Sequence, residues 1–165
     1  MKPSRVLNLN MLLLFGTLTR TKLEYASAIW NPHQNYLIDA LEAIQNCAAR
    51  FITSQYSSRL SITSIKLSLN LPSLEIRRKV TRLCLLHKLY HNFPSQRNTV
   101  LLPPARSSRR LFNSLCLQRL HGSTNAFNKS FLPTAIEDWN NLPESIVHEQ
   151  NPFKFKQLIT NHLIC

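Results

Sequence analysis

Glycine occurs only twice in this chain of 165 residues, at Gly16 and Gly122. Loops that cradle phosphates need several glycines close together, so P-loop and Rossmann nucleotide sites are excluded. Because glycine weakens helix interiors, its near absence also leaves long helices undisturbed. Apolar side chains recur at steps of three and four residues over much of the chain. Together these features predict a mainly α-helical small domain.

Helical patterns occupy most of the sequence. We expect helices over residues 11–30, 35–53, 62–69, 74–92 and 133–140, and from Asn151–Pro152 to Leu163. The stretch 93–110 is rich in Pro, Ser and Arg and lacks periodicity, which predicts a solvated loop or linker. Residues 111–130 are compatible with a short strand or a helix. The predicted organisation is a helical region over 1–92, a basic loop over 93–110 and a C-terminal helical segment over 111–165.

The apolar stripes of three of these helices predict the core. Their members are Leu37, Leu41, Ile44, Ala48 and Phe51; Ile76, Val80, Leu83, Leu86 and Tyr90; and Phe153, Phe155, Leu158, Ile159 and Leu163. We expect seven of them to be buried together, namely Leu37, Leu41, Ile44, Phe51, Val80, Leu83 and Leu86. Arg78, Arg82 and Lys88 lie off the stripe of helix 74–92, which predicts that they face solvent.

The charge of the chain is strongly unbalanced. Twenty Lys and Arg face eight Asp and Glu, which gives a net charge of +12. Residues 76–136 contain eleven cations and no acidic residue. Phosphates relieve the repulsion within such a block, so we expect RNA or DNA backbones as partners. The candidate nucleic-acid-binding residues are Arg77, Arg78, Lys79, Arg82, Arg106, Arg109 and Arg110. The alternative is a merely solvated basic face.

Catalytic and metal sites are not indicated. The two aspartates, Asp39 and Asp138, are too far apart in sequence to suggest a two-metal polymerase or nuclease centre. Cys84, His87 and His91 would share one face of helix 74–92, as zinc ligands do. The spacing of known structural zinc sites is not matched, and the block 76–136 contains no carboxylate that could orient such ligands. We therefore expect no catalytic residue, metal or cofactor.

The N-terminus has the outline of a signal peptide, because Lys2 and Arg5 precede an apolar run. Arg20, Lys22 and Glu24 follow that run closely, and the run is far shorter than the ~20 residues of a membrane-spanning helix. The four cysteines include no CxxC pair and are interpreted as free thiols. We expect an intracellular location, cytoplasmic or nuclear, and no membrane partner.

Five segments give the sequence a family resemblance. They are LTRTKLEYASAIWNP (18–32), LEAIQNCAARFIT (41–53), LPSLEIRRKVTRLCLLHKLYH (71–91), SFLPTAIEDWNNLPESIV (130–147) and NPFKFKQLI (151–159). In this order they resemble the segment just downstream of the polymerase core in non-LTR retrotransposon reverse transcriptases of the jockey-like group. Each motif is short, but together they cover nearly the whole chain.

The resemblance implies a non-catalytic role. The family's catalytic aspartates lie upstream, in the fingers and palm, and this chain does not contain them. We therefore expect a C-terminal thumb or post-polymerase fragment, which holds an RNA or DNA template–primer while the upstream palm and fingers carry out the chemistry. One alternative is an inert structural remnant of a decayed transposable element. Another is a secreted or membrane-surface peptide, which would require a true signal sequence.

Overall fold

The structure is a computed structural model that describes residues 10–57, 59–104 and 113–164. These residues are mainly α-helical and contain no strand, which confirms the predicted fold class. The helices are α1 (residues 10–14, a π-helical turn over Phe15–Thr19, and Arg20–Glu24), α2 (Ser27–Trp30), α3 (Asn35–Thr53), α4 (Ile62–Ser68), α5 (Leu74–Asn92), α6 (Pro94–Val100), α7 (Asn125–Asn128), α8 (Phe131–Asn140), α9 (Glu144–Val147) and α10 (Pro152–Ile164). Within the described part of the chain, none of these helices combines the length and the apolar composition needed to span a bilayer.

The chain divides into two compact units. The first unit contains the residues up to Ser27 and Pro32–Arg77, and the second contains Ala28–Asn31 and the chain from Arg78 onward. The division therefore falls inside α5, between Arg77 and Arg78, whereas the sequence suggested a boundary after residue 92.

The core of the first unit is built from α1, α3, α4 and the segment after α4. Its buried members are Phe15, Ala49, Ile52, Ile65 and Leu71. The sequence predicted the extent of α3 correctly but the wrong buried face. Leu37, Ile44 and Phe51 are 39%, 45% and 56% exposed. The expectation that they are core residues is therefore wrong.

Polar contacts explain the orientation of α3. Its inward face carries Gln45, whose Nε2 donates a hydrogen bond to the Pro72 carbonyl over 2.9 Å. One turn earlier, the Glu42 carboxylate accepts hydrogen bonds from Lys66 Nζ at 2.7 Å and from the Leu74 backbone N–H at 3.0 Å. The second bond satisfies a free donor at the first turn of α5. Hydrophobic periodicity could not reveal these partners, because they lie 24 to 32 positions away along the chain.

The core of the second unit is built mainly from α5, α8 and α10. Its buried residues on these helices are Val80, Leu83, Leu86, Tyr90, Ala135, Ile136, Trp139, Phe155 and Ile159. The predicted stripe of α5 is thereby confirmed from Val80 to Tyr90. For α10 the prediction was too broad, since Phe153 is 81% exposed and Leu158 is 40% exposed.

Two local predictions also need correction. The helix expected over 11–30 is interrupted, because Ala26 adopts a left-handed conformation with φ of +50° between α1 and α2. Part of the expected loop over 93–110 is helical, since α6 begins at Pro94. Proline suits that first helical position because its missing N–H would have no intrahelical partner there. Of the rest of the expected loop, residues 101–104 are irregular as predicted, and residues 105–110 lie outside the described residues.

Residues 113–118 form neither a helix nor a strand, although their apolar pattern fits either. Side chains of α8 satisfy their backbone groups instead. Asn140 Oδ1 accepts from the Leu117 N–H, and Asn140 Nδ2 donates to the Leu117 carbonyl, both over 2.8 Å. Trp139 Nε1 donates to the Leu115 carbonyl at 3.0 Å. These backbone groups therefore have hydrogen-bond partners although the segment does not pair as a strand.

Candidate nucleic-acid interface

The first predicted site residue, Arg77, is held by a carboxylate. Its guanidinium donates hydrogen bonds from Nε and from Nη2 to the two carboxylate oxygens of Glu24, with the Nη2 bond at 2.6 Å. Arg20 Nε also donates to Glu24, over 3.0 Å. Burial opposes ionisation of Glu24, but the hydrogen bonds and charges of Arg77 and then Arg20 outweigh it and lower the pKa of Glu24. Arg77, Glu24 and Arg20 therefore form a cluster of ion pairs within the first unit.

The next predicted site residue, Arg78, lies inside the second unit. It is only 2% exposed, and its Nε donates to Asn31 Oδ1 over 2.9 Å. The expectation that Arg78 lies off the buried face is wrong. A side chain this deep cannot reach a phosphate in solvent without leaving its place in the core.

Asp138 holds the remaining two cations of this group. Arg82, which is 7% exposed, donates from Nη2 at 2.5 Å and from Nε at 3.1 Å to one carboxylate oxygen. Lys79 Nζ lies 3.0 Å from the other oxygen and keeps 37% of its side chain exposed. The expectation that Arg82 faces solvent is also wrong. Of the predicted residues on α5, Lys79 and Arg77 retain the most contact with water.

The three predicted loop arginines, Arg106, Arg109 and Arg110, lie outside the described residues. For all seven predicted cations, contact with nucleic acid stays a prediction. The structure does show that the carboxylates missing from residues 76–136 are supplied from elsewhere in the chain, by Glu24 and Asp138.

Other cations of the basic block do face solvent. Lys88, Arg119 and Lys129 are exposed, and none of them has an ion-pair partner among the described residues. Arg97 is engaged differently, because its guanidinium lies 4.0 Å from the centre of the Tyr90 ring. Of the three cations that the stripe of α5 predicted to face solvent, Lys88 does so, whereas Arg78 and Arg82 are buried. Arg119 and Lys129 lie outside that helix.

Arg119 and Lys129 line one cleft of the second unit. The cleft has a volume of about 180 Å³, and its other lining residues are Leu120, His121, Asn128, Pro133 and Glu137. Cavities that bind whole small molecules start near ~300 Å³, so this cleft suits a single charged group better than a complete nucleotide. Two cations, Arg119 and Lys129, against the one carboxylate of Glu137 give the cleft a net positive charge.

The backbone beside this cleft is fixed by a side chain. Asn128 Oδ1 accepts from the Gly122 N–H at 2.8 Å, and Asn128 Nδ2 donates to the Gly122 carbonyl at 3.0 Å. Thr124 caps the short helix α7 by accepting from the Phe127 N–H. Sequence reasoning missed Arg119 and Lys129 because they flank a turn and belong to no periodic helix face. The Gly-Ser-Thr-Asn run between them was the available signal of that turn.

The two histidines of α5 have structural contacts. His87 is buried, stacks on Phe155 with ring centres 4.0 Å apart, and donates from Nε2 to the Glu149 carbonyl at 2.7 Å. His91 lies beside it, with 4.5 Å between ring centres. Burial raises the pKa of the Cys84 thiol. Within the described ranges, no three His, Cys, Asp or Glu side chains are grouped as metal ligands would be.

Comparisons of the chain with protein-family models, with curated proteins and with solved structures gave no match.

Proposed function

We propose that the chain is a non-catalytic nucleic-acid-binding region, which holds RNA or DNA by its phosphates irrespective of base sequence. The observation that supports this most directly is the set of exposed cations of the second unit, above all Arg119 and Lys129 in one cleft. Unpaired cations on a chain of net charge +12 attract polyanions and release their condensed counterions. Lys88 adds a further exposed charge from α5.

The biological setting that we propose follows from the sequence resemblance. The chain would be the post-polymerase region of a jockey-like non-LTR retrotransposon reverse transcriptase, an RNA-directed DNA polymerase. It would bind the template–primer while palm and fingers carry out catalysis. In this role the chain has no activity of its own, so primer extension on an RNA template with Mg²⁺ should stay at the level of a blank.

Binding itself is tested with a labelled RNA–DNA duplex, by fluorescence anisotropy at several salt concentrations. We expect log affinity to fall linearly and steeply with log salt, because the contacts are to phosphates. A duplex of different base sequence should bind equally well, since phosphate contacts carry no sequence information. Absence of binding even at low salt would favour the alternative, an inert remnant of a transposable element.

A further inference from the structure

The second unit contains a pocket with a volume of about 430 Å³. Its lining comes from α5, from α6 and from the segments 101–104 and 114–117. Most of the lining side chains are apolar, and the polar groups among them belong to Tyr90, Arg97, Asn98 and Ser114. Pockets that hold a whole small molecule have volumes of roughly 300–1,000 Å³ and a mainly apolar lining with a few polar groups. This pocket therefore has the size for one organic ligand, unlike the smaller cleft at Arg119 and Lys129.

Hydrogen bonds fix the backbone around this pocket. The Gln118 N–H donates to the Leu102 carbonyl over 2.8 Å, which joins the two irregular segments of the lining. The side chain of Asn140 bonds both backbone groups of Leu117 and thereby holds the second segment on α8. A pocket whose lining is already held in place loses little conformational freedom when a ligand binds.

The lining of the pocket includes a planar cation. The Arg97 guanidinium lies 4.0 Å from the centre of the Tyr90 ring, and Tyr90 is only 7% exposed. Arg97 is half-buried and has no ion-pair partner among the described residues. Proteins commonly hold unpaired nucleic-acid bases by stacking them on aromatic rings or on arginine planes. The Asn98 amide can both donate and accept hydrogen bonds, so the pocket does not require one particular base.

The pocket and the cleft at Arg119 and Lys129 are neighbours along the chain. Leu117 lines the pocket, and Arg119, two residues later, lines the cleft. Two residues of extended chain span at most about 7 Å. One strand of nucleic acid carries a phosphate about every 3.4 Å along its helix axis, so a single strand can reach both places.

We propose that the pocket receives an unpaired base of the bound strand, stacked on Arg97, while a phosphate of the same strand lies in the cleft. This inference rests on the proposed function and adds the kind of nucleic acid that the chain prefers. Bases of a fully paired duplex stay inside their stack and cannot enter such a pocket. The chain should therefore bind a template–primer with an unpaired overhang more tightly than a blunt duplex.

Fluorescence anisotropy with two matched ligands tests the pocket. Both are the same RNA–DNA duplex with a short single-stranded overhang, which carries adenines in one ligand and abasic sugars in the other. The two ligands have equal numbers of phosphates, so the ratio of their affinities isolates the contribution of the bases. We expect the wild-type chain to bind the adenine overhang about tenfold more tightly, the usual effect of stacking one base on a side chain. A ratio near one would overturn this proposal.

The variant Arg97→Lys locates the effect in this pocket, because lysine keeps the charge but lacks the guanidinium plane. Its affinity ratio should fall towards one. The matched control is Arg59→Lys, the same change at an exposed arginine of the first unit, and it should keep the wild-type ratio. Far-UV circular dichroism checks that both variants keep their helical content. Equal ratios in the two variants would contradict stacking on Arg97.

The same titrations separate this inference from the proposed function. Salt-dependent binding of both ligands with a ratio near one would leave phosphate binding intact and remove the base pocket alone. Absence of binding of either ligand, even at low salt, would overturn the proposed function and the base pocket together.

Discussion

At the scale of single residues, the interior of the second unit contains ion pairs whose partners lie far apart along the sequence. Asp138 receives Arg82 and Lys79 on its two oxygens, although Arg82 lies 56 positions away along the chain. Arg82 is 7% exposed, so loss of either partner would leave a charge with little access to water. The carboxylate and the guanidinium therefore act as one structural unit.

Arg82→Ala should lower the free energy of unfolding by about 3 kcal/mol, the usual cost of breaking a buried ion pair from one side. Urea denaturation followed by circular dichroism measures the change. Lys88→Ala, which removes an exposed cation from the same helix, should change stability by less than about 0.5 kcal/mol. Equal stabilities of the two variants would contradict a stabilising ion pair between Arg82 and Asp138.

The buried histidines should make stability depend on pH. Burial lowers the pKa of His87 below its ordinary value of 6.5, and burial together with the charges of His87 and Arg97 lowers the pKa of His91. The unfolded chain therefore takes up protons before the folded chain does, so stability is fully present above pH 6.5 and falls as the pH drops below it.

Urea midpoints at pH 7.5 and pH 5.5 test this dependence, and the midpoint at pH 5.5 should be lower. The variant His87→Gln/His91→Gln should show a smaller difference between the two midpoints, because it removes the titrating rings. An unchanged difference in the double variant would assign the pH dependence to other groups.

At the scale of elements, the sequence predicted helix positions better than helix faces. α5 matches the prediction in extent and from Val80 to Tyr90 in its buried stripe, because its core contacts are apolar. α3 matches in extent only. It has apolar residues on two sides, and the long-range bonds of Glu42 and Gln45 decide which side faces inward. Hydrophobic periodicity identifies a helix but cannot rank two apolar faces.

The link between α8 and residues 113–118 gives a prediction at this scale. Asn140→Leu keeps a similar side-chain volume but removes both hydrogen bonds to Leu117. The backbone N–H and carbonyl of Leu117 would then lack partners in a buried position, so stability should fall by about 2 kcal/mol. The change is measured by urea denaturation, with Asn141→Leu at the neighbouring exposed position as the control. Similar losses in both variants would contradict the role of these two bonds.

At the scale of the whole molecule, the net charge of the sequence predicted a polyanionic partner but not where such a partner would bind. The block 76–136 contains no acidic residue, yet part of it is neutralised by Glu24 and Asp138 from outside it. Folding thereby uses Arg77 and Arg82 as structural groups and leaves the turn around Gly122 to present Arg119 and Lys129. Which cations become structural and which stay exposed depends on contacts between residues more than fifty positions apart along the chain. Neither the composition nor the periodicity of the sequence reveals such contacts.

The most direct test of the proposed function compares two double variants that lose the same charge. Arg119→Ala/Lys129→Ala removes the cations of the cleft, and Lys22→Ala/Arg59→Ala removes two exposed cations of the first unit. The measurement is the slope of log affinity for an RNA–DNA duplex against log salt. We predict that the slope becomes shallower by about two units in the cleft variant, one for each lost phosphate contact, and stays at the wild-type value in the control. Equal slopes in the two variants would contradict a phosphate-binding site in this cleft.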